Sequence, residues 1–254
     1  KLVTLKKDVP VKEKLEDLIL KNIDKDKLYS FLREMEFNRL LSSAISTYGP
    51  GEFEDNNQKK NNNKSEKNKI SKEKYFLFKN EKEIEKWLKE ADEIGEFAID
   101  TETSSLDAHQ ADLVGISLCY KPGHSGYIPL AHKFANNLNT SKVLNILKPY
   151  LEDKSIKKIG QNIKFDYTIF FKRGIKICSL EDTMLMSYVL DAGKNRHNLD
   201  TLADIHLNHK NISFKDLVGT GKKQLEFSEV DITSAKDYAA EDADITFRLY
   251  KIFL

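Results

Sequence analysis

Beyond residue 74, short strand-like apolar runs alternate with longer helix-like runs. Continuous or period-two apolar runs predict strands at residues 74–78, 96–102, 112–120, 125–131 and 157–160. Apolar residues spaced by three or four predict helices at residues 81–92, 141–151, 164–174, 181–193, 198–208 and 233–253, with Ser141 as an N-cap. The strands come early and the later elements are mostly helical, which predicts an α/β fold with a mixed sheet flanked by helices.

The first 73 residues have a different pattern. Apolar residues at helical spacing predict helices at residues 15–22 and 24–41, but they are too few for an independent core. Residues 56–71 contain six Asn, five Lys and one aliphatic residue, a composition typical of a disordered linker. We therefore predict a helical segment at 1–52, a linker at 53–73 and the main domain at 74–254.

Composition excludes several classes of protein. The chain has 41 Lys and Arg against 40 Asp and Glu, a formal charge of +1, which argues against a strongly cationic nucleic-acid clamp but permits a local basic groove. No apolar run approaches the roughly 20 residues of a membrane span, and the first residues lack the apolar block of a signal peptide. Two cysteines are too few for a disulfide framework or a zinc site, which favours a soluble protein of a reducing compartment.

Two acids lie at the end of the predicted strand EFAIDTE. Period-two geometry points Asp100 and Glu102 to the same side, a few ångströms apart. Two such carboxylates repel each other and raise one pKa unless a cation lies between them. This pattern alone fits a solvated strand end as well as a metal site.

Two further pairs lie at helical i, i+4 spacing. Asn162 and Asp166 would share a face at a helix start, or Asn162 would be an N-cap with Asp166 exposed. Tyr238 and Asp242 share a face of the last helix, where a tyrosine hydroxyl can orient water. Each pair alone also fits an ordinary surface helix.

The combination is more specific than any of its parts. Four acids in one domain can hold two Mg²⁺ or Mn²⁺ ions about 3.5–4 Å apart, an arrangement suited to in-line phosphodiester hydrolysis. Oxygen ligands without paired His or Cys favour these ions over zinc.

Four stretches carry a resemblance to a known family: DTETSSL (100–106), GQNIKFD (160–166), DTMLMSYVLDAGKNRH (182–197) and YAAEDAD (238–244). The region from about residue 75 onward resembles the 3′–5′ proofreading exonuclease domain of bacterial DNA polymerase I, of the DEDDy class. Residues 1–50 resemble the tail of that family's 5′-nuclease domain. The resemblance implies an RNase H-like fold.

The resemblance also implies roles for the catalytic residues. Asp100, Glu102 and Asp242 match the ligands of a first metal ion. Asp100 and Asp166 match those of a second, more loosely held ion. Tyr238 matches the tyrosine that orients the attacking water.

Six other positions match residues that contact the single strand in that family. Leu106 and Phe214 match apolar residues that wedge beside the terminal bases. Phe165 replaces what is often a tyrosine, so ring packing is kept and a hydroxyl contact is lost. The positions near the sugar-phosphate path are Gln161, Asn162, Phe165 and Arg196.

The resemblance implies a metal-dependent exonuclease that releases nucleoside 5′-monophosphates from single-stranded or frayed DNA 3′ ends. It implies a monomer in the bacterial cytoplasm, associated with the nucleoid and away from any membrane. It also implies a polymerase domain of the same polypeptide, which this chain lacks after Leu254. Two alternatives stay open: a DEDDy ribonuclease of the RNase D type, and a non-catalytic spacer between nuclease and polymerase.

Overall fold

The computed structural model describes residues 22–51, 75–221 and 224–254, together with residues 5, 8–10, 14, 16, 18 and 19. The predicted linker at 53–73 lies outside the described residues, as do four of the eight residues of the predicted helix at 15–22. The chain divides into two compact units, residues 1–67 and 68–254.

In the described part of the first unit, two helices occupy the region in which one helix, at 24–41, was predicted. The helix α1 spans Lys25–Glu34 and α2 spans Asn38–Tyr48. Between them Glu36 has a φ of 54°, a left-handed conformation that ends α1 and redirects the backbone. The prediction of continuous helix over 24–41 was therefore wrong, because the apolar spacing does not reveal a single residue of this conformation. Tyr29 and Leu32 are buried within this unit.

In the described part of the second unit, six strands form one mixed sheet. The strands are β1 (Phe76–Leu77), β2 (Glu96–Thr103), β3 (Leu113–Lys121), β4 (His124–Pro129), β5 (Lys157–Gly160) and β6 (Leu180–Asp182). Their order in the sheet is β1-β4-β3-β2-β5-β6, with β2, β3 and β4 antiparallel and the outer pairings parallel. The last strand was missed, because three residues are too few to show a period of two.

Helices cover both faces of this sheet. They are α3 (Glu81–Ile94), α4 (Thr140–Glu152), α5 (Lys164–Phe171), α6 (Thr183–Asp191), α7 (Leu199–Leu207), α8 (Phe214–Val218) and α9 (Ile232–Phe253). The N-cap of α4 is Asn139, whose side chain accepts from the Lys142 amide, so the prediction of Ser141 as the cap was wrong. Both residue types cap helices well, and only the backbone conformation decides between them. Among the described residues, no helix combines the length and apolar composition that a bilayer-spanning segment requires.

The alternation of side chains along β2 sorts the core into two layers. Phe97 and Ile99 pack in the large cluster that includes residues of α3, α4 and α5. Ala98 points to the opposite face, where it packs with Ala243 of α9. Period-two geometry then directs the next even-numbered side chains of β2 toward α9 as well. The helix α9 is therefore the element that meets the acidic end of β2.

A second acid of α9 fixes the position of that helix. Asp244 is fully buried, and its carboxylate accepts hydrogen bonds from the Tyr75 hydroxyl at 2.7 Å and the Gly123 amide at 2.7 Å. The Arg248 Nε lies 3.0 Å from both of its oxygens. Asp244 thereby joins α9 to the start of the domain and to the turn between β3 and β4.

We expect Asp244→Ala to lower the free energy of unfolding by about 3–5 kcal/mol, because it leaves a partly buried guanidinium and two other donors without their acceptor. Tyr75→Phe removes one donor and should cost about 1–2 kcal/mol. Urea denaturation followed by circular dichroism measures both changes. The control Asp237→Ala, on the same helix in a surface ion pair with Lys236, should change stability by less than about 0.5 kcal/mol. An equal effect of Asp244→Ala and Asp237→Ala would contradict the assignment.

Candidate active site

Three carboxylates converge where β2 meets α9. One oxygen each from Asp100, Glu102 and Asp242 lie within 4.8 Å of one another. Small residues allow the close approach: Ala98 of β2 and Ala243 of α9 are both fully buried in the contact. Such a triangle of oxygens has the size and chemistry to surround one divalent cation.

The protein raises the pKa of all three carboxylates. Burial, followed by the charge of Asp242, raises the pKa of Asp100 to about 8. Burial also raises the pKa of Asp242 to about 8, although the Tyr238 hydroxyl lowers it by donating a hydrogen bond. Burial and then the charges of Asp100, Asp242 and Asp166 raise the pKa of Glu102 well above its usual range. The like charges of these buried carboxylates repel one another, and a bound cation would relieve the repulsion.

Asp166 reaches the same end of β2 from α5. Its Oδ1 accepts from the Thr101 amide at 2.9 Å and from the Thr101 hydroxyl at 2.6 Å. The pairing of β2 with β5 ends at Ala98, so the edge of β2 beyond it is open to this side chain. Burial and the charge of Asp100 raise the pKa of Asp166, while the hydrogen bonds from Thr101 oppose that shift. Thr101, which stands between Asp100 and Glu102 in β2, thus holds Asp166 next to Asp100.

Tyr238 lies one helical turn before Asp242 and next to the three acids. Burial, then the charges of Asp242, Glu102 and Asp100, raise its pKa, so the phenol stays protonated as a donor. Its ring centroid lies 6.0 Å from that of Phe214 and 6.1 Å from that of Phe227. These aromatic contacts fix the ring and leave the hydroxyl directed toward Asp242.

Tyr127 of β4 supports the site from within the sheet. A Cβ at Gly115 would lie 1.9 Å from the Tyr127 hydroxyl, so only glycine leaves room for this ring. Gly115 is also the partner of Glu102 in the pairing of β2 with β3. The Tyr127 hydroxyl and the His132 Nε2 are hydrogen-bonded at 2.8 Å. This buried pair supports the part of the sheet to which Glu102 belongs.

Leu106 projects from the loop that follows β2. This leucine is 96% exposed. The loop is closed by two hydrogen bonds, from the Ser104 amide to the Asp112 carbonyl at 3.0 Å and from the Asp112 amide to the Ser104 hydroxyl at 2.9 Å. An apolar side chain is thus presented to solvent on a loop with fixed ends.

The polar residues before α5 do not form one helical face with Asp166. Asn162 has a φ of 57° and lies ahead of α5, so the prediction that it shares a helical face with Asp166 was wrong. It does not cap the helix through its side chain either. Instead, the backbone N–H of Asn162 donates to the Asp182 carboxylate at 3.0 Å. Gln161 donates to the His197 carbonyl at 2.8 Å, next to the exposed Arg196.

The structure thus gathers Asp100, Glu102, Asp166, Asp242 and Tyr238 at one end of β2. The six other predicted positions lie elsewhere: Leu106 on the loop after β2; Gln161 and Asn162 ahead of α5; Phe165 in α5, packed against the large core cluster; Arg196 between α6 and α7; Phe214 at the start of α8.

Sequence reasoning missed three supporting residues. Thr101 stands between two acids, and a hydroxyl in a D-T-E motif was the available signal for its contact with Asp166. Asp182 precedes a helix as an N-cap, and its side chain accepts from the Met184 amide as well as from the segment before α5. Tyr127 gave no signal, because its role depends on the space above Gly115.

The donor set fits a hard divalent ion. The three converging ligands are carboxylate oxygens within 4.8 Å of one another, and burial is the largest cause that raises the pKa of each. Mg²⁺ and Mn²⁺ bind through such oxygens.

Comparison with known proteins agrees with this arrangement. A family profile described as 3′–5′ exonuclease matches residues 75–254. DNA polymerase I of Pseudomonas aeruginosa is 36% identical over 260 residues, an alignment that covers 98% of this chain and 27% of that protein. The chain therefore spans about a quarter of the length of this relative.

Solved structures with the same fold include nucleases of different kinds. Brucella melitensis NrnC with bound Mg²⁺ superimposes with a TM-score of 0.50 at 21% identity, covering 71% of this chain and 79% of that one. Escherichia coli RNase D, an exoribonuclease involved in structured RNA processing, gives a TM-score of 0.52 at 17% identity, covering 70% and 44%. These similarities confirm the predicted mixed α/β fold. The family match over residues 75–254, most of the chain, shows that this chain belongs to the 3′–5′ exonuclease family.

Proposed function

We propose that this chain hydrolyses the 3′-terminal phosphodiester of single-stranded or frayed DNA and releases nucleoside 5′-monophosphates. The observation that supports this most directly is the convergence of the Asp100, Glu102 and Asp242 carboxylates beside the Tyr238 hydroxyl. Asp166, hydrogen-bonded to Thr101, adds a fourth acid next to Asp100.

Asp100, Glu102 and Asp242 would hold one Mg²⁺ or Mn²⁺ ion, and Asp100 with Asp166 a second. A pair of such ions supplies charge neutralisation at the scissile phosphate and lowers the pKa of water. The chain's own contribution is positioning. Tyr238 keeps its proton and orients the attacking water through its hydroxyl. Glu102 and Asp242 keep their mutual geometry because β2 and α9 are packed together.

The proposed contacts with the DNA strand involve exposed apolar side chains and polar groups. Leu106 and Phe214 would wedge beside the terminal bases, while Gln161, Asn162 and Arg196 lie along the sugar-phosphate path. A terminal nucleotide must leave its stack to enter such a site, which costs least at a mismatched or unpaired end.

We further propose that the chain is the proofreading module of a bacterial DNA polymerase I, with a polymerase domain in the same polypeptide. The similarity to the Pseudomonas aeruginosa protein over nearly the whole chain supports this context. Within it, the module would act as a monomer in the cytoplasm, on chromosomal DNA.

The decisive experiment is incubation of the chain with 5′-labelled single-stranded DNA and Mg²⁺ or Mn²⁺. A nested ladder of shortened products and release of nucleoside 5′-monophosphates are expected, with none in EDTA. Circular single-stranded DNA of the same composition should stay intact, because it has no 3′ end. An RNA strand of identical sequence tests the ribonuclease alternative, and preferred cleavage of RNA would overturn the DNA assignment. Absence of cleavage of both would favour a non-catalytic spacer.

Asp100→Ala should abolish cleavage within detection, because Asp100 is the acid assigned to both ions. In metal-free buffer the variant should unfold at the same temperature as the wild type or a higher one, since one of three repelling carboxylates is removed. Added Mn²⁺ should raise the unfolding temperature of the wild type and not that of the variant. Asp92→Ala, in an exposed part of α3, should keep both activity and the Mn²⁺ response. An Asp100→Ala protein that cuts at the wild-type rate would exclude the two-ion assignment.

Tyr238→Phe keeps the ring and removes the hydroxyl. We expect a loss of cleavage rate of roughly 10- to 1000-fold, about 1.4–4 kcal/mol of transition-state stabilisation, with little change in oligonucleotide affinity. Tyr250→Phe is the matched control on the same helix, where the hydroxyl lies 3.2 Å from the Lys157 Nζ. Full activity of Tyr238→Phe would assign the orientation of water to another group, most simply Glu102.

Thr101→Val removes the hydroxyl donor to Asp166 and keeps the side-chain shape. We expect about a 10-fold lower cleavage rate and a higher Mg²⁺ concentration at half-maximal activity, because a hydrogen bond to a charged group contributes about 1.5–3 kcal/mol. The measurement is a Mg²⁺ titration of the initial rate. Thr168→Val in α5 removes a hydroxyl that donates only to the Lys164 carbonyl and serves as control. An unchanged Mg²⁺ titration would show that Asp166 needs no support from Thr101.

A further inference from the structure

The helix α6 has an inverted distribution of polar and apolar residues. Its buried side chains are Thr183 and Ser187. Four large apolar or aromatic side chains of the helix are exposed instead: Leu185, Tyr188, Val189 and Leu190. On one side of α6 lies an open groove of about 700 Å³, lined by Met184, Leu185, Tyr188, Arg196, His197 and Asn198. This groove contains none of the five residues assigned to hydrolysis.

Tyr188 is held in this groove from behind. Its ring centroid lies 4.6 Å from that of His197 at an interplanar angle of 50°. The Nδ1 of His197 is in turn hydrogen-bonded to the buried Ser187 hydroxyl at 2.9 Å. The outer part of the Tyr188 side chain stays open, since 58% of its surface is exposed. An aromatic ring fixed in this way loses little conformational entropy when a flat ligand stacks on it.

The groove is joined directly to the segment that precedes Asp166. Gln161 donates to the His197 carbonyl at 2.8 Å and accepts from the Thr183 hydroxyl at 2.6 Å. The Asp182 carboxylate at the start of α6 accepts from the Asn162 amide. The groove and the proposed sugar-phosphate path therefore share the same backbone segments.

We propose that the Tyr188 ring is a stacking platform for an unpaired nucleobase upstream of the nucleotide being removed, with the adjacent Arg196 facing the phosphate backbone. A fixed aromatic face, an exposed guanidinium and an apolar rim are the combination that binds single strands without sequence preference. The cation favours a polyanionic strand over an apolar protein segment as the occupant. The inference rests on the proposed function and adds a subsite to it.

A thermodynamic cycle tests the contact. Affinity for a short 5′-fluorescent single-stranded oligonucleotide is measured by anisotropy in EDTA, with one abasic site placed at each position in turn. We expect Tyr188→Ala to weaken binding of the intact strand roughly 5- to 100-fold. At a single position, removal of the base should weaken wild-type binding by a similar factor and have no further effect on Tyr188→Ala.

Two variants serve as controls. Tyr188→Phe keeps the ring and should bind like the wild type. Val189→Ala shortens the next side chain of α6, which is exposed and lies outside the groove, and should also bind like the wild type.

The outcomes separate this inference from the function on which it rests. If the wild type cuts DNA and Tyr188→Ala binds the oligonucleotide as tightly as the wild type does, the stacking platform is overturned and the exonuclease proposal stays intact. An equal loss at every abasic position would also overturn it, because the effect would then be indirect. A wild type that neither binds nor cuts DNA would overturn both.

Discussion

The contact between α9 and β2 is the constraint on which the site depends. Fully buried alanines on both elements, Ala98 and Ala243, allow the helix to lie close to the strand. A larger residue in either position would move the helix outward, and the carboxylates of Asp100 and Asp242 would no longer meet around one point. The same approach places like charges together, so the packing of α9 acts against electrostatic repulsion. Phe247 and Tyr250, buried in the same cluster, contribute to the burial that offsets it.

The three acids near the middle of α9 have different surroundings. Asp244 accepts from Tyr75, Gly123 and Arg248, and the carboxylate of Glu241 bonds to the Ile212 amide and the His209 ring. These two acids tie the helix to neighbouring segments, so their charges are matched by donors. Asp242 instead faces Asp100 and Glu102. A helix anchored on both sides in this way can hold its intervening acid in an unfavourable place, which is what a cation site requires.

Periodicity predicted the parts of the site that lie within regular elements. The period of two in β2 placed Asp100 and Glu102 on one face, and the i, i+4 spacing in α9 did the same for Tyr238 and Asp242. Asp166 could not be placed in this way, because its contact with Thr101 depends on β5 ending before β2 does. Local spacing also misplaced Asn162, whose left-handed conformation removes it from α5. Resemblance to a family grouped Asp166 with the other acids, but the reason for its position is visible only in three dimensions.

The distribution of apolar groups around the acids suggests why such a site would take single strands. A chain with a formal charge of +1 offers no general attraction for a polyanion, and its acidic cluster repels one until cations are bound. Under the proposed function, attraction would come largely from the faces of bases, through side chains such as Leu106, Phe214 and Tyr188. In a duplex these faces are already stacked and paired, so only an end that has frayed can use them. Under the proposed function, selectivity for unpaired ends follows from the near-zero net charge of the chain as much as from the shape of the site.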